Sequence, residues 1–332
     1  TMSLAGTTAA DTPAGQQELF AVDRDVAATM NTVADDPARL GELQDASQAM
    51  QDALKNGHRV YFYGTGSTGR LAETLESGLW RPFWARVARD GKAWRKVQRA
   101  YPGIEGHVRG EITGGDRALV SSLEGFEDLQ LIGKLQLHDN GIGKDDVVFA
   151  VTEGGETSAV IGTAKEGAVV NGNDPKKTWF VYNNPDEVLL PFVRSREVIE
   201  HPGITKIMLA TGPQSITGST RMQATTTSLY VLGVTMEGAI HALTGAVLSV
   251  VLSGVFWWLQ STGAFTMPFM NRVGVVFIAS LLAAIIVSFI APQKETTLPI
   301  SFAGVSYKTT MGFNIAALGV IAFLIAVYSL WW

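Results

Sequence analysis

Apolar positions repeat with a helical period over the N-terminal part of the chain. From Glu18 to Lys55 they recur every three or four residues, which predicts amphipathic helix. The pair Asn56-Gly57 ends this pattern, as helix-terminating residues do. Residues 1–18 are mostly small and polar, and we expect them to be a disordered lead-in.

Short β-branched and aromatic runs follow, separated by stretches with helical patterning. Such runs predict buried strands. They lie at His58–Tyr63, Asp146–Thr152, Thr178–Tyr182 and Thr205–Ala210. Strands that alternate with helices favour a parallel sheet with helices on both faces. The fold class predicted for residues 19–238 is therefore α/β, a doubly wound parallel sheet preceded by N-terminal helices.

Residues 239–332 follow a different pattern. Three almost uncharged apolar runs lie at roughly Ala239–Leu259, Val273–Ala291 and Phe313–Trp332. Each is about 20 residues long, enough to cross a hydrocarbon layer of ~30 Å as a helix. We therefore expect a membrane tail of three helices. The chain also starts without the pattern of a signal peptide, so we expect it to be membrane-associated with residues 19–238 in the cytoplasm.

The charge distribution agrees with this division. The chain has 26 basic and 31 acidic residues, and residues 239–332 contain only Arg272, Lys294, Glu295 and Lys308. The total of −5 therefore becomes −7 upstream, because the tail contributes three cations and one anion. An acidic domain of this kind argues against nucleic acid as a partner.

Metal and cofactor chemistry has no support in the composition. Cysteine is absent, which excludes thiolate metal sites and cysteine nucleophiles. The five histidines show no metal-ligand spacing. We predict neither a metal nor a cofactor.

Three loops place glycines and hydroxyls where a predicted strand ends and a predicted helix begins. They are Gly64–Arg70 (GTGSTGR), Thr152–Ser158 (TEGGETS) and Gly212–Met222 (GPQSITGSTRM). Glycines let the backbone approach an anion, hydroxyls donate hydrogen bonds, and a helix N-terminus adds partial positive charge. An open α/β sheet binds its ligand at the carboxyl ends of its strands. Together the loops predict a phosphate-ester site, although each alone fits an ordinary tight turn.

The order of motifs resembles a known family. GTGSTGR is followed by Ile112–Leu119 (ITGGDRAL), by Leu123–Asp128 (LEGFED) and by ITGSTRM. This series resembles the sugar isomerase (SIS) domain in the branch of N-acetylmuramic acid 6-phosphate etherases and glucokinase regulatory proteins. The resemblance covers about residues 20–240. It implies a phosphorylated sugar as ligand and a homodimer formed through this domain.

The resemblance also implies catalytic carboxylates. A glutamate of the EGxED segment is catalytic in the etherases, and Glu124 matches it. Cleaving a lactyl ether at C3 of an open-chain amino sugar needs a base for the C2 proton and an acid for the leaving group. The family's second carboxylate lies after the glycine loop, where Gly78 stands here. Glu76 lies two positions earlier, about 200° away on a helix, and is the second candidate.

The glycine loop holds the sugar phosphate in the etherases, and the remaining candidates extend this site. In the second loop Glu153 and Gly154 stand where the etherases have small residues and serine, so we expect Glu153 to contact sugar hydroxyls. The predicted substrate- and phosphate-binding residues are Gly64, Gly66, Ser67, Thr68, Gly69, Glu153, Thr157, Ser158 and Ser219.

Three functions remain open. The first is a carbon–oxygen lyase that cleaves N-acetylmuramic acid 6-phosphate, favoured by Glu124 in its motif. The second is a non-catalytic sugar-phosphate sensor, favoured by the displaced Glu76. The third is a transporter fragment, because Phe269–Gly274, Ser288–Gln293 and Lys308–Asn314 resemble the C-terminal end of sodium/solute symporters of the sodium–glucose type. Three helices cannot form such a transporter, whose sites lie among discontinuous core helices.

Overall fold

A five-stranded parallel sheet organises the part of the chain that the structure describes. The computed structural model describes residues 3–121, 123, 125–216, 219 and 221–244. The strands are β1 (Val60–Gly64), β2 (Val108–Ile112), β3 (Val147–Val151), β4 (Thr178–Tyr182) and β5 (Thr205–Met208). Their order across the sheet is β2-β1-β3-β4-β5, and every neighbouring pair is parallel. The predicted α/β class with a parallel sheet is confirmed.

The described helices precede, follow and connect these strands. They are α1 (Leu4–Ala10), α2 (Thr12–Ala21), α3 (Asp23–Asp35), α4 (Pro37–Lys55), α5 (Ser67–Thr74), α6 (Arg81–Val87), α7 (Gly91–Ala100), α8 (Arg117–Val120), α9 (Gln130–Asp139), α10 (Ser158–Val170), α11 (Asp186–Leu189), α12 (Val193–Ile199) and α13 (Gln223–Thr244). A π-helical turn (Leu75–Trp80) joins α5 to α6, and a 3₁₀ turn (Ile104–Gly106) precedes β2.

Hydrophobic cores cover both faces of the sheet. On one face the stacked rings of Phe62, Phe149 and Trp179, with centroids 5.0 and 5.9 Å apart, lie under side chains of α4, α5 and α13. On the other face Tyr63 and Phe180 pack with side chains of α10 and α12. Strands buried on both faces read as continuous apolar runs. This is why the sequence predicts β1, β3 and β4.

The edge strand β2 was not predicted. Its sequence is VRGEI, and Arg109 and Glu111 are only half-buried whereas Val108, Gly110 and Ile112 are buried. An edge strand needs only one apolar face and tolerates charge on the other. β2 therefore lacks the continuous apolar run that predicts a central strand.

Two glycines allow α5 to lie close against β2. A Cβ atom on Gly69 would lie 2.3 Å from Cγ1 of the buried Ile112. A Cβ atom on Gly110 would lie 2.2 Å from the backbone oxygen of Ala72. Such close approach of two backbones is a use of glycine that no other residue can replace. It fixes the position of α5, and with it the loop between β1 and α5.

The N-terminal expectations need two corrections. Residues 1–18 were expected to be disordered, but α1 and most of α2 lie there because Asp11 caps α2, accepting from Ala14 N at 3.2 Å, and Pro13 stands in its first turn. The helical pattern from Glu18 to Lys55 is also divided. It breaks at Val22 and at Asp36, whose carboxylate accepts from Ala38 N at 2.9 Å and starts α4.

The predicted membrane tail falls almost wholly outside the described residues. Only Ala239–Thr244, the start of the first apolar run, is described, and it forms the end of α13. Among the helices that the structure describes, none has both the length and the apolar character needed to cross a membrane. The three-helix tail therefore stays a prediction.

The glycine packing can be tested with two helical glycines. Gly69→Ala should lower the free energy of unfolding by about 1–3 kcal/mol, because the new methyl group overpacks against Ile112. Gly41→Ala in α4 meets no atom within 4 Å and should raise it by about 0.5–1 kcal/mol. Urea denaturation of the two variants measures both. Equal effects of the two substitutions would contradict the packing role of Gly69.

Candidate functional site

The loop between β1 and α5 is a tight turn that depends on glycine. Gly66 has φ 57°, a left-handed conformation that favours glycine. A Cβ atom on Gly64 would lie 2.4 Å from the backbone carbon of Thr68. These two glycines bring the chain directly from the carboxyl end of β1 into α5. Ser67 is thereby placed in the first turn of the helix, where partial positive charge favours anions.

The two hydroxyls of this loop have different surroundings. Thr68 is 2% exposed, and its Oγ1 accepts from Thr65 N and donates to Thr65 O, both at 3.0 Å. The Thr68 hydroxyl therefore stabilises the loop from inside. Ser67 is half-buried, and its Oγ donates to Oε2 of Glu153 at 3.0 Å. Of the two, Ser67 is the hydroxyl directed across the crevice.

Glu153 connects three elements at the point where strand order reverses. It follows β3, is 6% exposed, and its Oε1 accepts from Thr225 Oγ1 of α13 at 2.5 Å. Its backbone oxygen accepts from Asn183 N at 3.0 Å, after β4. In a sheet of order 2-1-3-4-5 the crevice between β1 and β3 is the expected ligand site. The predicted residues Ser67 and Glu153 meet in this crevice.

The second loop directs its hydroxyls into its own turn. Thr157 Oγ1 lies 3.0 Å from Thr152 Oγ1, and Gly155 N donates to Thr152 Oγ1 at 3.3 Å. Ser158 Oγ accepts from Arg194 Nη1 of α12 at 3.4 Å. Thr157 and Ser158 thus lie at the N-terminus of α10 and are hydrogen-bonded within the protein. Their role as ligand contacts stays a prediction.

The third loop leads into α13. The amide group of Gln223 ties it together, donating to Pro213 O at 2.8 Å and accepting from Ser215 N at 3.3 Å. Ser219, a predicted ligand-binding residue, is half-buried, and its N–H donates to Ile216 O at 2.9 Å. Thr217, Gly218 and Thr220 lie outside the described residues. The loop carries the chain to Thr225, which contacts Glu153.

The motif after β2 contacts the glycine loop directly. Thr113 Oγ1 lies 2.5 Å from Thr65 Oγ1 and 3.3 Å from Gly64 O. Gly114 and Gly115 follow with φ 91° and 69°, so the chain turns sharply at this point. Two of the sequence motifs that the resemblance rests on are therefore adjacent in space.

An acidic cleft of about 800 Å³ lies along the free edge of β2. Its wall includes the carboxylates of Glu73, Glu76, Glu111, Asp116 and Asp139, together with the guanidinium groups of Arg81 and Arg109. Ser67 and Glu153 do not line it. Gly114, Gly115 and Asp116 belong to the wall, so the cleft begins at the loop that contacts Thr65.

Glu76 stabilises the edge of the sheet. It is 7% exposed, and its Oε2 accepts from Gly110 N at 2.6 Å. Its Oε1 accepts from Arg81 Nε at 2.6 Å, and Arg81 Nη2 also donates to it. Glu76 thus satisfies an N–H of an edge strand, and Arg81 balances its charge. The π-helical turn beginning at Leu75 sets its direction. Its catalytic role stays a prediction.

Glu73 is a candidate that sequence reasoning missed. Burial, together with the negative charges of Glu76, Glu111 and Asp116, raises the pKa of its carboxyl to about 7. A carboxyl that titrates near neutrality can both donate and accept a proton. The spacing of Glu73 and Glu76 in the sequence could have indicated this raised pKa. Residues three apart on a helix share a face, and like charges there repel.

Glu124, the matched catalytic carboxylate, lies outside the described residues. Phe126, two residues further on, lines the cleft beside β2, and its N–H donates to Leu123 O at 3.3 Å. Phe126 therefore borders the cleft that contains Glu73. In the part of the chain that the structure describes, no cluster of three or more histidine, aspartate or glutamate side chains is suited to bind a metal ion.

Comparison with known proteins finds etherases. The chain is 30% identical over 204 residues to the N-acetylmuramic acid 6-phosphate etherase of Deinococcus radiodurans, covering 61% of this chain and 56% of that protein. It is 30% identical over 202 residues to the N-acetylmuramic acid 6-phosphate etherase of Synechocystis sp., with the same coverage of each. The chain therefore spans about half the length of the curated relatives it matches. No family model matches it.

Among solved structures, a phosphoheptose isomerase from Francisella tularensis matches with a TM-score of 0.40 and 15% identity, covering 67% of this chain and 93% of that chain. The etherase matches confirm, at the level of sequence similarity over about three fifths of the chain, the resemblance that the motifs predicted. They lend no support to the resemblance between residues 239–332 and sodium/solute symporters.

The raised pKa of Glu73 predicts a pH-dependent stability. Because the folded-state pKa of about 7 exceeds the model-compound value of 4.5, the group's contribution is complete below about 4.5 and is lost as pH rises through 7. Glu73→Gln should therefore raise the free energy of unfolding at pH 8 by about 1 kcal/mol, a value discounted for partial exposure, and change it little at pH 5.

Urea denaturation at both pH values measures this difference. Glu200→Gln, at an exposed carboxylate at the end of α12, is the matched control and should give the same offset at pH 5 and pH 8. If the change in unfolding free energy caused by Glu73→Gln is also independent of pH, the raised pKa of Glu73 is contradicted.

Proposed function

We propose that the crevice between the loops of β1 and β3 binds a phosphorylated sugar, and that the protein cleaves the lactyl ether of N-acetylmuramic acid 6-phosphate. The observation that carries the proposal is the position of Ser67. Its hydroxyl lies in the first turn of α5, at the switch point of the sheet, in the loop whose motif matches the etherases. Similarity over 204 residues to the etherases supports the same assignment.

The phosphate end is assigned to the glycine loop. The positive φ of Gly66 turns the chain so that the N-terminus of α5 faces the crevice, and Ser67 adds a hydroxyl donor. A phosphate ester bound there gains from the helix dipole and from hydrogen bonds to a charged acceptor. The sugar ring then extends toward Gly114 and the cleft beside β2, which begins at the adjacent loop.

The chemistry is assigned to the carboxylates that border this cleft. A base removes the C2 proton of the open-chain sugar, the bond from C3 to the lactyl oxygen breaks, and an acid protonates the departing lactate. Water then adds to the resulting double bond. Glu124 is the base by its motif, and Glu73, whose pKa is raised to about 7, is suited to the acid step.

A sugar-phosphate sensor is the second candidate. It is favoured by Glu76, whose carboxylate is hydrogen-bonded to Gly110 N–H and to Arg81. These bonds give Glu76 a structural role at the edge of the sheet. In that case the carboxylates of the cleft would contact sugar hydroxyls without transferring protons. The homodimer and the membrane tail stay predictions under either function.

The lyase assignment predicts release of lactate from N-acetylmuramic acid 6-phosphate by the full chain. Glu124→Gln keeps the shape of the side chain but removes the basic oxygen. It should lower kcat by at least ~10²-fold while substrate affinity changes little, because a base acts in the transition state. Enzymatic detection of lactate over a range of substrate concentrations measures both quantities.

Glu127→Gln, in the same segment, is the control and should retain the parental rate. A parent that binds sugar phosphates but releases no lactate would replace the lyase by the sensor. Normal turnover by Glu124→Gln would place the base elsewhere.

The phosphate assignment predicts different effects for the two neighbouring hydroxyls. Ser67→Ala should weaken sugar-phosphate binding by about 10- to 100-fold, as loss of a hydrogen bond to a charged group does. Thr68→Val should instead lower the free energy of unfolding by about 1–2 kcal/mol, because Thr65 N loses its buried acceptor. Calorimetric titration with a hexose 6-phosphate and urea denaturation separate the two effects. If Ser67→Ala binds the sugar phosphate as tightly as the parent, the phosphate does not bind at this loop.

A further inference from the structure

The anion position at the start of α5 already contains a carboxylate. Both oxygens of Glu153 accept a hydroxyl hydrogen, Oε2 from Ser67 at 3.0 Å and Oε1 from Thr225 at 2.5 Å. The side chain is 6% exposed, so water contributes little to its solvation. The features that suit this crevice to a phosphate therefore also stabilise the carboxylate of Glu153.

A serine hydroxyl can donate only one hydrogen bond. While Ser67 donates to Glu153, it cannot donate to a phosphate oxygen as well. Thr68 offers no substitute, because its hydroxyl is buried and bonded to Thr65. A phosphate in the crevice must therefore take the Ser67 hydrogen from Glu153. It must also lie near a second negative charge in a poorly solvated place.

We propose that Glu153 is an internal competitor for the phosphate position and sets the ligand specificity of the crevice. The inference rests on the proposed function, because it concerns the same site. The carboxylate occupies the anion position until a phosphorylated ligand displaces it from Ser67. An unphosphorylated sugar carries no negative charge, so the Glu153 carboxylate does not lower its binding affinity. Glu153 thus lowers the affinity for phosphorylated ligands and narrows the preference for them over neutral sugars.

Substitution of Glu153 by glutamine isolates the charge. The amide has the shape of the carboxylate, its oxygen can accept from one hydroxyl, and its N–H can donate to the other. Glu153→Gln should bind glucose 6-phosphate at least about tenfold more tightly than the parent, which corresponds to about 1.4 kcal/mol. Affinity for glucose itself should change by less than about threefold. Glu153→Ala shares with Glu153→Gln only the loss of charge, and it too should bind glucose 6-phosphate more tightly than the parent.

Glu156→Gln is the matched control. Glu156 belongs to the same loop and carries the same charge, but it is partly exposed and pairs with Arg194 Nη2 at 3.3 Å. Its substitution should alter the affinity for either ligand by less than about threefold, because exposed charges are well screened. The parent and the three variants of the full chain are titrated calorimetrically with glucose 6-phosphate, glucose and inorganic phosphate. Thermal unfolding confirms that each is folded.

The outcomes separate the inference from the function on which it rests. Tighter binding of glucose 6-phosphate by Glu153→Gln, with or without measurable binding by the parent, supports the competitor. Binding by the parent that is unchanged or weakened in both Glu153 variants overturns the competitor and leaves the sugar-phosphate site standing. Equal tightening in Glu156→Gln overturns it too, since the effect would then belong to net charge. Absence of binding to either phosphate in every protein overturns both.

Discussion

β1 is hydrogen-bonded along both edges, to β2 on one side and to β3 on the other, and the rest of the molecule is arranged around this pairing. The chain leaves β1 through α5, which packs on one face of the sheet, and leaves β3 through α10, which packs on the other. Connections that diverge in this way open a crevice at the carboxyl end of the strands. The glycines at positions 69 and 110 hold α5 close to β2 and fix one wall of that crevice.

The acidic side chains around the crevice and the cleft have different surroundings. Glu153 is surrounded by hydroxyl donors, which stabilise a carboxylate in a poorly solvated place. Glu76 is balanced by Arg81 and by a backbone N–H. Glu73 is half-buried beside other carboxylates, which raises its pKa to about 7. A sugar phosphate bound as we propose would therefore meet one carboxylate at its phosphate end and an acid–base group near its ring.

The two candidate functions, sugar-phosphate binding and lyase catalysis, require different parts of this arrangement. Binding would require only the crevice, in which we propose that Ser67 supplies a donor and that Glu153 moderates the affinity for an anion. Catalysis would further require that a base and an acid reach the reacting carbons, and Phe126 of the LEGFED motif borders the cleft that contains Glu73. The difference between an enzyme and a sensor on this scaffold thus concerns the carboxylates of the cleft and not the phosphate loop.

The sequence alone determined the fold class and the place at which we propose the site. β1, β3 and β4 are buried on both faces, and their apolar runs are visible without a structure. The glycine loops after them could be recognised because a close turn before a helix needs particular residues. Residues 112–119 and 123–128 completed the series of motifs that resembles the etherases.

Only the tertiary structure decided the roles within that site. Whether Ser67 or Thr68 faces the crevice depends on how Gly66 turns the chain, and their hydroxyls are chemically alike in sequence. Glu153 meets Thr225 only because α13, which lies later in the chain, packs against the sheet, and it meets Ser67 only because β1 pairs with β3. The edge strand β2 and the pKa of Glu73 also depend on neighbours brought from elsewhere. Hydrogen bonding and desolvation are set by packing, which local sequence patterns do not record.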